Sequence, residues 1–329
     1  MDQGNHPAFT IYNRSFQLDS MTFTFAHFSD IHLPLGPGLP RPLSLLIGKR
    51  AFSYLSWQRK RRYIHLPQVT ERLIADIRGQ KIGHLAITGD LMNLSLPSEF
   101  QAAARWLKAL DAPDNITLVP GNHDTLVPVP WAKGLSQWQD FLAGDDGSTD
   151  FPTLTRREDV ALIGLNSAIS TPFFMSGGRL GQEQILQTEE LLTRLGEQNI
   201  CRIILLHHPP GPGIKARKAL FDRMKFREMI ARTGAELILH GHTHKARMDV
   251  LDGPKHPVPV LAVPSASATD DRHKHHARWH HITAQRCGDG YEFDIMVRGL
   301  PDPTKDFETE GQFRLVSGQV SGQVAGMVT

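Results

Sequence analysis

Five short apolar runs, each ending in a turn that carries aspartate, histidine or asparagine, constrain this chain more than any other feature. Residues 23–28 run into Ser29-Asp30-Ile31-His32, 84–88 into Gly89-Asp90, and 116–119 into Pro120-Gly121-Asn122-His123-Asp124. Residues 203–206 run into His207-His208-Pro209-Pro210, and 237–239 into His240-Gly241-His242-Thr243-His244. A short run of β-formers closed by a glycine or proline turn reads as a strand. In open α/β sheets the carboxyl ends of strands are where ligands bind. Five such ends predict convergence on one site.

The segments between the runs predict the fold class. Residues 67–78 set Val69, Leu73, Ile74 and Ile77 on one helical face, and 98–110 read as a helix behind Pro97. The first part is therefore β-α-β-α-β, an α/β layering and not a helical bundle. Further helices are expected at 43–57, 131–142, 181–195 and 221–233, a turn at 145–149 and a strand at 160–165. Beyond the last motif the pattern shortens to β segments at 248–251, 258–263, 279–284 and 291–297, with Gly288-Asp289-Gly290 as a hairpin signal. A chain of 329 residues with 40% apolar content can bury one large core. Residues 21–300 are thus read as one catalytic domain. Residues 1–20 lack periodicity and are expected to be a disordered leader, and the polar stretch 301–329, with its doubled Ser-Gly-Gln-Val, a disordered tail.

Charge and cysteine content narrow the setting. A net charge of +2 without a broad basic stripe argues against a dedicated nucleic-acid module. Cys201 and Cys287 are too few for a disulfide framework and lack metal-site spacing, so they are expected to be core and hairpin residues. No run approaches the roughly 18 apolar residues of a membrane span, and the first residues hold no apolar signal. The expectation is cytoplasmic. The basic residues are unevenly placed: between Asp30 and Glu71 no acidic residue occurs, while Arg41, Lys49, Arg50, Arg59, Lys60, Arg61 and Arg62 all do.

The chemistry follows from the donor set. Asp30, His32, Asp90, Asn122, His207, His242 and His244 offer oxygen and imidazole nitrogen without thiolate, which suits divalent Mn, Fe, Zn or Co. Seven donors suit two ions better than one. Two ions about 4 Å apart, sharing a carboxylate, can clamp the attacking and leaving oxygens of a phosphoryl displacement.

Asp30-x-His32, Gly89-Asp90, Gly121-Asn122-His123-Asp124, His207 and Gly241-His242-x-His244, in that order over about residues 23–265, resemble the five motifs of the calcineurin-like metallophosphoesterases. The resemblance implies a four-layer α/β/β/α sandwich with two facing sheets and two divalent metals at their edge. It assigns Asp30, His32 and His244 to the first metal, Asn122, His207 and His242 to the second, and Asp90 to the bridge. It gives a metal-bridging water as nucleophile, His123 as the residue that stabilises or protonates the leaving oxygen, and Asp124 as the residue that orients His123. Either histidine of His207-His208 can bind metal, and the family pattern favours His207, two residues before Pro209, with His208 at the pocket wall. His27, His65 and His84 are expected to be structural, and the run His273, His275, His276, His280 and His281 a solvated loop and strand edge.

The insertion 34–65 follows directly on the first motif, so it emerges beside the metals. Its basic and apolar content gives three expectations: a packed cap, capture of a phosphate-rich substrate, or contact of 41–62 with an anionic membrane surface. Substrate contacts are expected from His208, Arg59, Arg61 and Lys215. The expected activity is a phosphodiesterase acting on a small phosphoester, since the His-His-Pro-Pro motif resembles bacterial cyclic-nucleotide and glycerophosphodiester phosphodiesterases. The alternatives are a hydrolase of lipid-linked phosphoesters resembling UDP-diacylglucosamine hydrolases, and a protein-binding scaffold, against which the complete ligand set argues.

Overall fold

The computed structural model describes residues 22–36, 38–270, 275–302, 304–316 and 319–321. In chain order its main elements begin with β1 (Thr22–Phe28), α1 (Lys49–Arg59), α2 (Pro67–Gly79), β2 (Leu85–Ile87), α3 (Pro97–Leu110) and β3 (Ile116–Leu118). There follow α4 (Gln139–Leu142), β4 (Thr153–Arg157), β5 (Val160–Gly164), α5 (Gln182–Glu197), β6 (Cys201–Leu205), α6 (Arg223–Thr233) and β7 (Leu237–His240). The last part is all β: β8 (Arg247–Leu251), β9 (Val258–Ala262), β10 (Thr269–Asp270), β11 (His275–His276), β12 (Arg278–Cys287), β13 (Gly290–Gly299), β14 (Glu308–Val316) and β15 (Gln319–Ser321).

Two sheets carry the architecture. One is ordered β15-β14-β13-β12-β1-β2-β3 and the other β4-β5-β6-β7-β9-β8, with β10 and β11 forming a separate ribbon. In the first, β1, β2 and β3 run parallel, and in the second β5, β6, β7 and β9 do. Side-chain alternation explains the layering. Leu85 and Ile87 face α2 and α3, packing with Leu73, Phe100 and Leu107. Ala86 between them points the other way, into a core shared with Leu162, Ile203, Leu205 and Leu239 of the second sheet. The outer face of that sheet is covered by Ile185 and Leu192 of α5 and Phe226 and Ile230 of α6. Three cores between four layers are the α/β/β/α sandwich implied by the motifs.

Three expectations need correction. Residues 131–142 do not form one helix: two short 3-10 turns, Trp131–Lys133 and Leu135–Trp138, precede α4 because Gly134 between them has a non-helical backbone. Strand β4 was not anticipated; it pairs antiparallel with β5. The stretch 301–329 is not wholly a disordered tail. Within it β14 pairs antiparallel with β13, and its alternation buries Phe313 and Leu315 between the sheets. Two apolar residues suffice there because the facing sheet supplies the rest of the core. The leader at 1–20, with residues 317–318 and 322–329, lies outside the described residues. Cys201 is buried in β6 and Cys287 is exposed at the β12–β13 turn, both unpaired.

Two buried histidines outside the ligand set put an acid limit on the fold, and one of them, His280, is not on a solvated strand edge as expected but fully buried on β12, which pairs with β1 and β13. Burial brings His84 and His280 each down to about 3. Both are neutral in the folded chain and ordinary, near 6.5, in the unfolded one. Between about pH 3 and 6.5 these two histidines bind protons in the unfolded chain that they refuse in the folded one, so their contribution to stability falls as pH drops through this window and is constant above it. Each histidine contributes about 1.4 kcal/mol per pH unit there. The urea midpoint is expected to be lower at pH 5 than at pH 7. Neither His280 nitrogen has a hydrogen-bond partner among the described residues, so His280→Leu is expected to fold and to show a shallower loss; an unchanged slope would contradict this account.

Candidate metal centre

The seven donors sit in the turns that follow β1, β2, β3, β6 and β7. Five of them, Asp30, His32, Asp90, His242 and His244, have a left-handed backbone with φ between 47° and 67°. Such conformations are unfavourable for residues other than glycine and persist where the surroundings enforce them. Here the turns are knitted to one another. Asp30 N donates to Gly89 O (2.9 Å) and His32 N to Asp90 O (3.0 Å), Ser265 Oγ donates to Asp30 O (2.6 Å), and His242 N donates to Asp30 Oδ2 (2.9 Å). Glycine is needed at two points of this knot. A Cβ on Gly121 would overlap the Asp90 carboxylate and backbone, and one on Gly241 would overlap the Ser29 hydroxyl.

The hydrogen bonds fix which way the donors face. His32 Nδ1 bonds to Met92 O (3.0 Å) and His207 Nδ1 to Thr88 O (2.6 Å). A carbonyl accepts, so each ring carries its proton on Nδ1 and presents a lone pair at Nε2. These lone pairs point at other electron-rich atoms. His207 Nε2 lies 3.3 Å from Asn122 Oδ1, 3.2 Å from His242 Nδ1 and 3.3 Å from Asp90 Oδ2. His32 Nε2 lies 3.3 Å from His244 Nε2 and 4.0 Å from Asp90 Oδ2, and His244 Nε2 lies 3.0 Å from Asp30 Oδ1. Asp90 Oδ1 accepts the His123 N–H (2.7 Å), leaving Oδ2 facing both groups. Convergent acceptors in a dry pocket are stabilised by a cation, and histidines held through one nitrogen while the other points inward are characteristic of metal sites. The residues therefore fit two divalent ions, with Asp90 between them.

Electrostatics agree. Burial works against charge on both members of the Asp90–His207 pair, yet Asp90 lifts His207 to about 9 and is itself held well below the carboxylate range. Burial likewise opposes a charged Asp30, but the neighbouring His244 and His207 bring it to about 2. Positive charge is stabilised at this spot.

All seven expected ligands are brought together, and the donor atoms of His207, His208 and His242 lie within 4.8 Å of one another. His208 remains equivocal in a specific way: Ser167 Oγ lies 2.8 Å from its Nδ1, and its Nε2 is buried without a partner among the described residues. Asp124 is not placed to orient the His123 ring. Its carboxylate accepts N–H groups of Asp90, Met92 and Gly121 and so staples the second and third turns together. The His123 ring is set instead by Asn93 O, 2.8 Å from Nδ1, and by Arg61 Nη1, 2.9 Å from Nε2. Burial and the Arg61 guanidinium hold His123 well below the usual histidine range.

The insertion contributes unevenly. Lys49 Nζ donates to Thr171 O (2.9 Å) and Arg50 Nη2 to Ser95 O (2.6 Å), so α1 bridges two loops of the rim. Arg61 then enters the site. Arg59 is exposed on α1 and Lys215 is exposed in its loop, with no hydrogen bond to the ligands among the described residues. Lys218, three residues on, is half-buried; burial lowers it and Asp30 is close enough to oppose that. His65, expected to be structural, packs beside the ligands, its ring centroid 4.5 Å from that of His32. The signal for Lys218 and His65 was present only as membership of segments adjoining the motifs.

A model of the calcineurin-like phosphoesterases matches residues 23–246. No curated protein matches the chain. Among solved structures, a dimetal phosphatase from Danio rerio is similar with a TM-score of 0.54 at 13% identity, over 90% of this chain and 99% of that one. A purple acid phosphatase from yellow lupin (Lupinus luteus) seeds gives a TM-score of 0.55 at 14% identity, over 91% of this chain and 54% of that one. At such identities the likeness is one of fold.

Proposed function

Because the chain belongs to the calcineurin-like phosphoesterases and is thus a metal-dependent hydrolase of phosphoester bonds, we propose that it is a dinuclear phosphodiesterase. The observation that carries this reading is Asp90 Oδ2, which faces His207 Nε2 at 3.3 Å and His32 Nε2 at 4.0 Å, between two donor groups. Asp30, His32 and His244 would hold one ion, and Asn122, His207 and His242 the other. Divalent ions bound there supply Lewis acidity and lower the pKa of water.

The chain's own groups supply the rest. Arg61 carries an N–H at Nε that is buried and, among the described residues, unpartnered, a donor suited to a phosphoryl oxygen. His123 holds its proton on Nδ1 against Asn93 O, and its Nε2 accepts from Arg61. In this tautomer His123 Nε2 has no proton to give, so the chain's own donor toward the phosphoryl and leaving oxygens is the Arg61 guanidinium, which His123 positions through Nε2. The preference for a diester rests on the His207-His208-Pro209-Pro210 form of the fourth motif. A cytoplasmic setting belongs to the same proposal and rests on the unpaired cysteines.

A second reading, an ester carrying an acyl chain or presented at an anionic membrane surface, is favoured by one observation. Most of the large apolar side chains exposed among the described residues sit on the insertion or on the loop facing it, including Leu43, Ile47, Phe52, Leu55, Phe173 and Phe174. Phe52 and Phe174 meet with ring centroids 5.3 Å apart, and the nearby charges are basic. No helix among the described residues is long and apolar enough to cross a membrane.

The test is hydrolysis of bis-(p-nitrophenyl) phosphate against p-nitrophenyl phosphate, with protein stripped of metal and resupplied with Mn. Metal-dependent diester cleavage is expected to dominate, and an Ile47→Ser/Phe52→Ser/Phe174→Ser variant to retain it. If that variant alone loses cleavage of a phospholipid-like ester in anionic vesicles, the second reading holds. Monoester preference would overturn the first.

A further inference from the structure

We propose that His65, brought in by the insertion, is itself a metal donor, joining Asp30, His32 and His244 at the first of the two positions. The inference rests on the two-metal reading above. The donor nitrogens of His32, His65 and His244 lie within 4.8 Å of one another, and the His65 ring centroid is 4.5 Å from that of His32 and 5.4 Å from that of His244. His65 is only 8% exposed.

The hydrogen bonds decide which nitrogen faces the site. Ser267 Oγ lies 2.9 Å from His65 Nδ1 and Ser265 Oγ 3.2 Å from it. Ser265 donates its single hydroxyl proton to Asp30 O at 2.6 Å, so towards His65 it can only accept. With Nδ1 taken up by the two serine hydroxyls, Nε2 is the ring nitrogen left without a hydrogen-bond partner among the described residues, and the tautomer with its proton on Nδ1, for which Ser265 is an acceptor, presents a lone pair there. This is the arrangement already seen in His32, whose Nδ1 is held by Met92 O. A ring nitrogen pinned to the protein while the other points at fellow donors is how ligating histidines are set.

The backbone holds the residue in place. His65 N donates to Arg61 O (2.8 Å) and Leu66 N to Ser267 O (3.0 Å), and His65 pairs with Ala268 across an isolated bridge. The same serine that fixes His65 also fixes Asp30, so two donors to one position share a support. The insertion thereby has a role in the metal centre beyond covering it.

The experiment is a Co(II) titration of metal-stripped protein, followed by visible absorption, for wild type, His65→Asn, His65→Gln and His65→Ala, with circular dichroism to confirm folding. Asparagine keeps an N–H near the Nδ1 position for the serines but has nothing at Nε2; glutamine reaches towards the Nε2 position. His65→Asn is expected to weaken one of two Co(II) binding steps at least about tenfold and to change the d–d spectrum, with His65→Gln less affected. Two wild-type steps and an unchanged spectrum in folded His65→Asn would overturn the proposal. Loss in His65→Ala that asparagine restores would also overturn it, since that is the pattern of a purely structural histidine. A wild-type protein taking up fewer than two ions would overturn the two-metal reading itself, and this one with it, a failure visible before any variant is compared.

Discussion

Asp90→Ala is expected to abolish hydrolysis and to leave the purified protein with neither metal ion bound. Among the described residues Asp90 Oδ2 is the carboxylate oxygen that faces both His207 and His32. Its removal also leaves the lone pairs of His207 Nε2 and Asn122 Oδ1, 3.3 Å apart, without the negative charge that makes a cation favourable there. A second variant separates charge from packing. Asp90→Asn keeps an oxygen for the His123 N–H, which Asp90 Oδ1 now accepts at 2.7 Å, and is expected to fold but to bind metal far more weakly. Metal content by elemental analysis and diester hydrolysis are the two readouts. Full activity in a folded Asp90→Ala protein would end the dinuclear account.

Arg61→Met is expected to lower kcat/KM for a diester by about two to three orders of magnitude, the cost of removing one preorganised donor from developing phosphoryl charge, with metal content unchanged. Two facts support the size of the effect. Arg61 Nε is buried without an acceptor among the described residues, and a buried unsatisfied donor costs about 1–3 kcal/mol, a cost that a substrate oxygen would remove. Arg61 is also held at the site although burial drags it down to about 10, with Asp90 and Glu99 working to keep it charged. Arg61→Lys is not expected to rescue, because an ammonium lacks the planar fork that reaches His123 and a phosphoryl oxygen together. A loss confined to KM would reassign Arg61 to ground-state binding alone.

The metal ligands were legible because each follows a short apolar strand, and the end of a strand in a parallel sheet is a place the chain itself announces. Asp30, Asp90 and His242 needed no knowledge of packing beyond that. The role of Asp124 was not legible. Its carboxylate accepts from Asp90 N and Met92 N, residues more than thirty positions away, and nothing local distinguishes it from a residue that would orient His123. Lys215 and Lys218 lie in one basic segment, and only the 3-10 turn Ala216–Lys218 decides which of them is half-buried and which is exposed. Strand β14 was missed because its buried residues, Phe313 and Leu315, are few, and their partners come from the opposite sheet.

What the sequence alone determined, then, is the α/β alternation, the seven donors and the presence of a basic, apolar insertion beside them. These depend on periodicity and turn chemistry, which act over a few residues. Only the tertiary structure decided that the insertion folds back to put Arg61 against His123 and His65 against His32. Those contacts join residues 61 and 65 to residues 123, 265 and 267. Their register is set by α1 bridging the loops at Ser95 and Thr171 and by packing across the whole domain, which no local pattern encodes.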